Sequence, residues 1–160
     1  MLRLATLIAA TAILASCTST TQTSPSAQDR PSGSGTSAQT AAAAFVQGCV
    51  GTTTNPGRAT EVLKSLGFSE TRFARGRQNM TSSFGTASVW PGGQCTVTPK
   101  SGSLSQMIPL VSAELAKSGI PVRKLPGEEA WLIGSTGAIA LISRSGGAMT
   151  RTQPGVARFP

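Results

Sequence analysis

Between residues 18 and 40 the chain reads TSTTQTSPSAQDRPSGSGTSAQT, and nothing in that stretch can build a core. It holds no aliphatic side chain larger than Ala and no aromatic; Ser, Thr, Pro, Gly and Gln dominate. Such a segment buries too little apolar surface to offset the entropy of ordering it. We expect a disordered tether, whose 23 residues span roughly 25 Å as a coil and at most about 80 Å fully extended. The break divides the 160 residues into a short N-terminal piece and a body of about 118 residues, 41–158. That body has the size of one ordinary domain.

Residues 1–17 read MLRLATLIAATAILASC. Arg3 gives a positive start, and residues 4–14 form an uncharged apolar run of 11 residues. A spanning helix needs about 20, so the run has the length of a signal-peptide core. It ends in Leu14-Ala15-Ser16-Cys17. This resembles the lipobox of bacterial lipoprotein signal peptides, in which a small residue precedes an invariant Cys. The resemblance covers the first 17 residues, and Ser16 is a permitted though less common residue at its place. It implies removal of residues 1–16, a diacylglyceryl thioether on Cys17 and acylation of the new amino group by a palmitate-like chain. Several acyl chains on one residue anchor stably, since each buried CH2 contributes roughly 0.8 kcal/mol. Thr18 follows the Cys where an Asp would signal retention. By the sorting pattern of Gram-negative lipoproteins this implies delivery to the outer membrane, facing the periplasm. The tether then lets the domain work away from the bilayer.

The body reads as α+β. Residues 41–49 (AAAAFVQGC) favour helix, with Gly51 just past the end. Asn55-Pro56 reads as a helix start, and Val62, Leu63 and Leu66 form an apolar stripe before Gly67. Residues 71–75, 87–90 and 94–98 read as strands, the last two joined by Pro91-Gly92-Gly93. Ser103 and Gln106 have capping-box spacing around Leu104, Met107, Ile108, Val111 and Leu115, which recur at helical intervals up to Gly119. Pro109 conflicts with an unbroken helix and predicts a kink or a start near it. Residues 122–124, 129–133, 138–143 and 148–152 read as further strands, with turns at Gly134-Ser135-Thr136-Gly137 and Gly146-Gly147.

Residues 76–85 (GRQNMTSSFG) are long for a hairpin loop. Met80 and Phe84 are either the apolar points of a binding loop or pins that hold the loop to the body. The stretches VLKSLGFSETR (62–72) and ELAKSGIPVRK (114–124) share helix, Gly, a large apolar residue and a basic strand. They are either a duplicated helix-plus-meander unit or a coincidence of two helix ends. The expected architecture is one antiparallel sheet of about five to seven strands, two or three helices packed on one face, and the tether ahead of it. Once Cys17 is taken by lipid, Cys49 and Cys95 remain, an even number in an oxidising compartment. A Cys49–Cys95 disulfide is expected, closing a loop of about 46 residues, which is worth roughly 4 kcal/mol in the chain-entropy model.

Composition excludes several reaction classes. The chain has no His, which removes Ser-His-Asp and Cys-His catalysis and imidazole metal sites. Neither a metal nor a cofactor is expected. The chain has no G-x-S-x-G, S-x-x-K, P-loop or C-x-x-C motif. Glu128-Glu129 is the one adjacent acidic pair, and in a strand its members face opposite sides. Charge is the remaining handle. There are 14 Lys and Arg against 6 Asp and Glu, and loss of Arg3 with the leader leaves 13 against 6, net +7. Arg72, Arg75 and Arg77 cluster, while Arg123, Lys124, Arg144 and Arg151 lie on later strands or turns. If those strands are neighbours, Arg72, Arg75, Arg77, Arg123 and Lys124 form a basic patch for an anion or a partner. Otherwise they are a solvated basic surface. Nucleic acid is not an expected partner, because Phe73 is the only aromatic interleaved with the basic residues.

These features point to a membrane-anchored envelope lipoprotein with a small non-enzymatic domain. Its partner would be an envelope protein or an anionic wall or lipid component. The V-x3-L-G spacing of Val62, Leu66 and Gly67, after lipobox and linker, is similar to that of small outer-membrane assembly lipoproteins. It is a few residues long and carries no function across. The competing expectations are a wall hydrolase using Glu61, Glu114, Glu128 or Glu129 as a lone acid, and a purely structural lipoprotein.

Overall fold

The computed structural model describes residues 36–52, 55–126, 129–134, 136–143 and 146–153. The expectations for the leader, for Cys17 and for most of the tether lie outside these residues, as do Glu128, Ser135 and Arg144. The described elements are α1 (Ser37–Ala44), a π-helical turn (Phe45–Val50), α2 (Pro56–Ser65), β1 (Ser69–Ala74), β2 (Arg77–Thr81), β3 (Gly85–Val89), β4 (Cys95–Pro99), α3 (Leu104–Ser118), β5 (Val122–Lys124), β6 (Ala130–Ile133), β7 (Ala138–Ile142) and β8 (Met149–Thr152).

Local chemistry accounts for most of these boundaries. The first helix starts at Ser37, ahead of the expected boundary at 41, because the Thr36 hydroxyl accepts the Gln39 N–H at 3.3 Å. Ala38 is already buried. The last residues of the expected tether therefore belong to the domain. Further on, the helix widens into the π-helical turn, where the Gly51 N–H donates to the Val46 carbonyl five residues back at 2.8 Å. Asn55 caps α2, its Oδ1 accepting the Arg58 N–H at 3.1 Å, and Pro56 opens the helix. The Gln106 Oε1 accepts the Ser103 N–H at 3.0 Å, as the capping-box spacing predicts. Pro109 does not end α3, which runs through it to a left-handed Gly119 at φ 66°. The N–H that Pro109 lacks would have met the Ser105 carbonyl, and both residues are exposed, which leaves that carbonyl open to solvent and lowers the cost of the lost bond.

One eight-stranded sheet runs in the order β1-β2-β3-β4-β8-β7-β6-β5, with neighbouring strands antiparallel throughout. That order contains the same unit twice. A helix and a four-strand meander (α2, then β1 to β4) are followed by a second helix and meander (α3, then β5 to β8). The last strands of the two units pair at the centre, with Cys95 opposite Arg151, Thr96 opposite Thr150 and Val97 opposite Met149. A pseudo-twofold axis therefore passes near Thr96 and Thr150, whose hydroxyls are 3.0 Å apart. The shared pattern of 62–72 and 114–124 occupies matching places in the two units.

The expected sheet of five to seven strands is one short, and β2 is the addition. Residues 76–85 are not a long loop. Arg75 (φ 53°) and Gly76 (φ 71°) form a two-residue turn with positive φ at both positions, and β2 leaves it directly. Met80 is buried against the core, and Phe84 packs edge-on against Phe68 with ring centroids 5.0 Å apart. Both side chains pin the segment to the body.

The core lies between the sheet and the helices. From the sheet come Ala87, Val89, Cys95, Val97, Ala140, Ile142 and Met149, and from the helices come Ala41, Ala42, Ala44, Phe45, Val50, Leu63, Val111 and Leu115. The first helix and its π-helical turn touch β4, β8, α2 and α3, so they lie over the seam between the two units. Small side chains permit this close packing. At Gly48 an added Cβ would lie 2.7 Å from Leu63 Cδ2, because α2 seats its one fully buried leucine there. In open space a helical Gly→Ala change gains up to about 1 kcal/mol. Here overpacking dominates, and Gly48→Ala is expected to lower stability by about 1–3 kcal/mol. Leu63→Ala alone is expected to lower it by about 2–5 kcal/mol. Urea denaturation of the double variant should show a loss well below the sum of the two; strict additivity would refute the contact.

Candidate functional site

The basic residues do not form one patch. Arg72, Arg75 and Arg77 gather at the β1–β2 turn on one edge of the sheet. Arg123 and Lys124 lie on β5, the opposite edge. Seven strand spacings separate the two edges, roughly 34 Å at about 4.8 Å each. The expected five-residue patch is thus split by strand order. Lys124 is further engaged, lying 3.7 Å from Glu129 Oε2 and 6.0 Å from the centre of the Trp131 ring. Arg151, expected on a later strand or turn, is buried on the core side of β8.

What remains is a compact cationic hairpin end. Arg72 pairs across from Asn79 and Arg77 across from Ala74, which places both arginines on the sheet face away from the helices. The Asn79 Nδ2 donates to the Arg72 carbonyl at 3.1 Å and its Oδ1 accepts the Ser88 hydroxyl at 3.0 Å. Arg77 lies over the Trp90 ring, 5.5 Å from its centroid. Trp90 was not singled out from the sequence. The signal was present, since alternation along β3 places position 90 on the same face as Ser88. Phe73, opposite Gln78, is 67% exposed. Glu70 on the same strand is held by Lys64 of α2 at 2.5 Å, so its charge is balanced locally.

The rest of that face has two characters. Thr86, Ser88, Thr96, Thr98 and Thr150 bring hydroxyls to the centre of the sheet, at registers fixed by the pairings of β3, β4 and β8. Leu132, Ile139 and Leu141 make the β6–β7 side aliphatic, and all three are half-buried. Arg123 borders this side, opposite Leu132.

Under the sheet, Cys49 of the π-helical turn and Cys95 of β4 form the expected disulfide, with Cα atoms 5.4 Å apart. Arg151, across from Cys95, donates to the Gly93 carbonyl, while its Nε and Nη1 have no hydrogen-bond partner. Burial pushes its guanidinium below the ordinary arginine value.

Among the described carboxylates, Glu61 is exposed, and Glu70, Glu114 and Glu129 each lie beside a lysine, with Glu114 Oε1 2.7 Å from Lys117 Nζ. Glu129 Oε2 is buried without a hydrogen bond. No group of three or more His, Cys, Asp or Glu side chains suited to a metal ion occurs among the described residues. Comparison with protein families, curated proteins and solved structures finds no match to this chain.

Arg151 yields a sharp expectation. A buried guanidinium held by one carbonyl, with no carboxylate partner, gains little from its charge. Arg151→Met should keep the melting temperature or raise it, as read by circular dichroism. A loss of more than about 1 kcal/mol would mean that the charge itself stabilises the fold.

Proposed function

We propose that the chain is a membrane-anchored envelope lipoprotein whose domain binds a partner and catalyses nothing. The observation that carries this is Leu14-Ala15-Ser16-Cys17 at the end of an 11-residue apolar run that starts just after Arg3. The cysteine pairing supports it, because Cys49 and Cys95 bond to each other and leave Cys17 as the one cysteine free for a thioether. No helix among the described residues is long and apolar enough to cross a membrane, so a lipid at Cys17 would supply the anchorage. Thr18 favours the outer membrane as the destination.

The partner is an envelope protein or an anionic wall or lipid component. The contact surface is the β1–β2 end of the sheet, where Arg72, Arg75 and Arg77 concentrate positive charge. Pairing of three carboxylates with lysines supports binding over hydrolysis, since a lone catalytic acid needs a raised pKa and a clear approach.

The test is the intact mass of the chain recovered from bacterial membranes. The expected species lacks residues 1–16 and carries a diacylglyceryl group and an acyl chain on Cys17. Cys17→Ser should move the protein to the soluble fraction. An unmodified Cys17 in the membrane-bound protein would overturn the proposal.

A further inference from the structure

Phe73 is the one large hydrophobic side chain that stands well exposed among the described residues, at 67%. It sits on the edge strand beside Arg72, two residues before Arg75, and the turn brings Arg77 back opposite Ala74. The Glu70 carboxylate is already held by Lys64. The hairpin end therefore carries a bare phenyl ring on its helix side, Arg72 and Arg77 on its other side, Arg75 at the turn and no free acid. Its turn is also unusual. Arg75 adopts φ 53° ahead of Gly76, a place where Asn is the favoured residue and a long side chain is sterically disfavoured. An arginine there retains charge at the expense of turn geometry, a pattern typical of functional positions.

We propose that the end of the β1–β2 hairpin docks on an anionic lipid bilayer, with Phe73 entering the boundary between headgroups and acyl chains and Arg72, Arg75 and Arg77 pairing with lipid phosphates. Charge complementarity selects this occupant. One narrow hairpin tip carries three arginines and a single apolar side chain, Phe73 on one side of the strand and Arg72 and Arg77 on the other. A bilayer that takes the tip end-on meets all four, whereas a protein groove wants several apolar anchors in a desolvated centre. The inference rests on the lipid-anchored reading. A domain joined to its lipid by a short segment sees the bilayer at an effective concentration in the millimolar range, so a weak contact suffices. Each arginine near an anionic surface changes partitioning about five-fold, and loss of all three changes it roughly 100-fold. Burial of the phenyl ring adds about ten-fold or more.

The test uses the full chain expressed in a bacterium, purified as the cell processes it, and mixed into vesicles carrying brominated acyl chains. Phe73→Trp places a reporter at the hairpin end. Its fluorescence should be quenched in phosphatidylglycerol vesicles and spared in phosphatidylcholine vesicles. Quenching should fade in 0.5 M salt (about three times physiological strength) and disappear when Arg72 and Arg77 become Gln and Arg75 becomes Asn. The Asn-Gly turn keeps that variant folded, and its unchanged melting curve verifies this. Absence of quenching in phosphatidylglycerol overturns the docking. If Cys17 nevertheless carries lipid by mass, the lipoprotein reading stands and only the docking falls; if Cys17 is bare, the reading itself falls. Binding of the hairpin to a soluble acidic polysaccharide, with no quenching in either vesicle, also overturns the proposal and assigns the arginines to a wall polymer.

Discussion

The Cys49–Cys95 bond is the constraint on which the rest of the structure depends. It ties the π-helical turn, which lies over the seam, to β4, one of the two strands that form it. Each four-strand meander alone would leave an open edge and one uncovered apolar face. Pairing of β4 with β8 removes one edge from each, and the first helix covers the junction through Ala41, Ala42, Ala44 and Phe45. Because that helix precedes both units in sequence, only non-local contacts hold it there. A bond spanning 46 residues offsets roughly 4 kcal/mol of the chain entropy those contacts must overcome.

The pseudo-twofold axis is obeyed by the backbone and broken by the side chains. Rotation about Thr96 and Thr150 exchanges Cys95 with Met149 and Val97 with Arg151, given the pairings at the seam. One unit thus brings the disulfide to the centre and the other brings a buried cation. On the outer face, the first unit ends in Arg72 and Arg77, with the exposed Phe73 on the other side of the same edge strand, while the second presents half-buried Leu132, Ile139 and Leu141 beside Arg123. A duplicated frame with different faces is what a binding module can use, since one half can specialise while the other preserves the sheet.

How much of this was legible in the sequence depended on range. Asn55-Pro56, the Ser103 and Gln106 pair, Gly119 and the Pro91-Gly92-Gly93 turn announce themselves because caps and turns are decided by a few adjacent residues. The disulfide was legible by elimination among three cysteines. Strand β2 was not, because Met80 is its one buried side chain and its turn begins with Arg75, not with a turn residue. The split of the basic residues and the burial of Arg151 follow from the pairing of β4 with β8, which joins residues more than 50 positions apart and leaves no local periodic trace. The hairpin end was half legible, since the arginines stood out and the exposure of Phe73 and the approach of Trp90 did not.

The central claim is that the three cysteines divide into one anchor and one clamp. Differential thiol alkylation with peptide mass mapping tests it most directly. In the folded full chain, Cys49 and Cys95 should take up no reagent until the protein is unfolded and reduced, and then both should react. Labelling of either residue before reduction would contradict the clamp over the seam, and a disulfide from Cys17 to either of them would contradict both the clamp and the anchor.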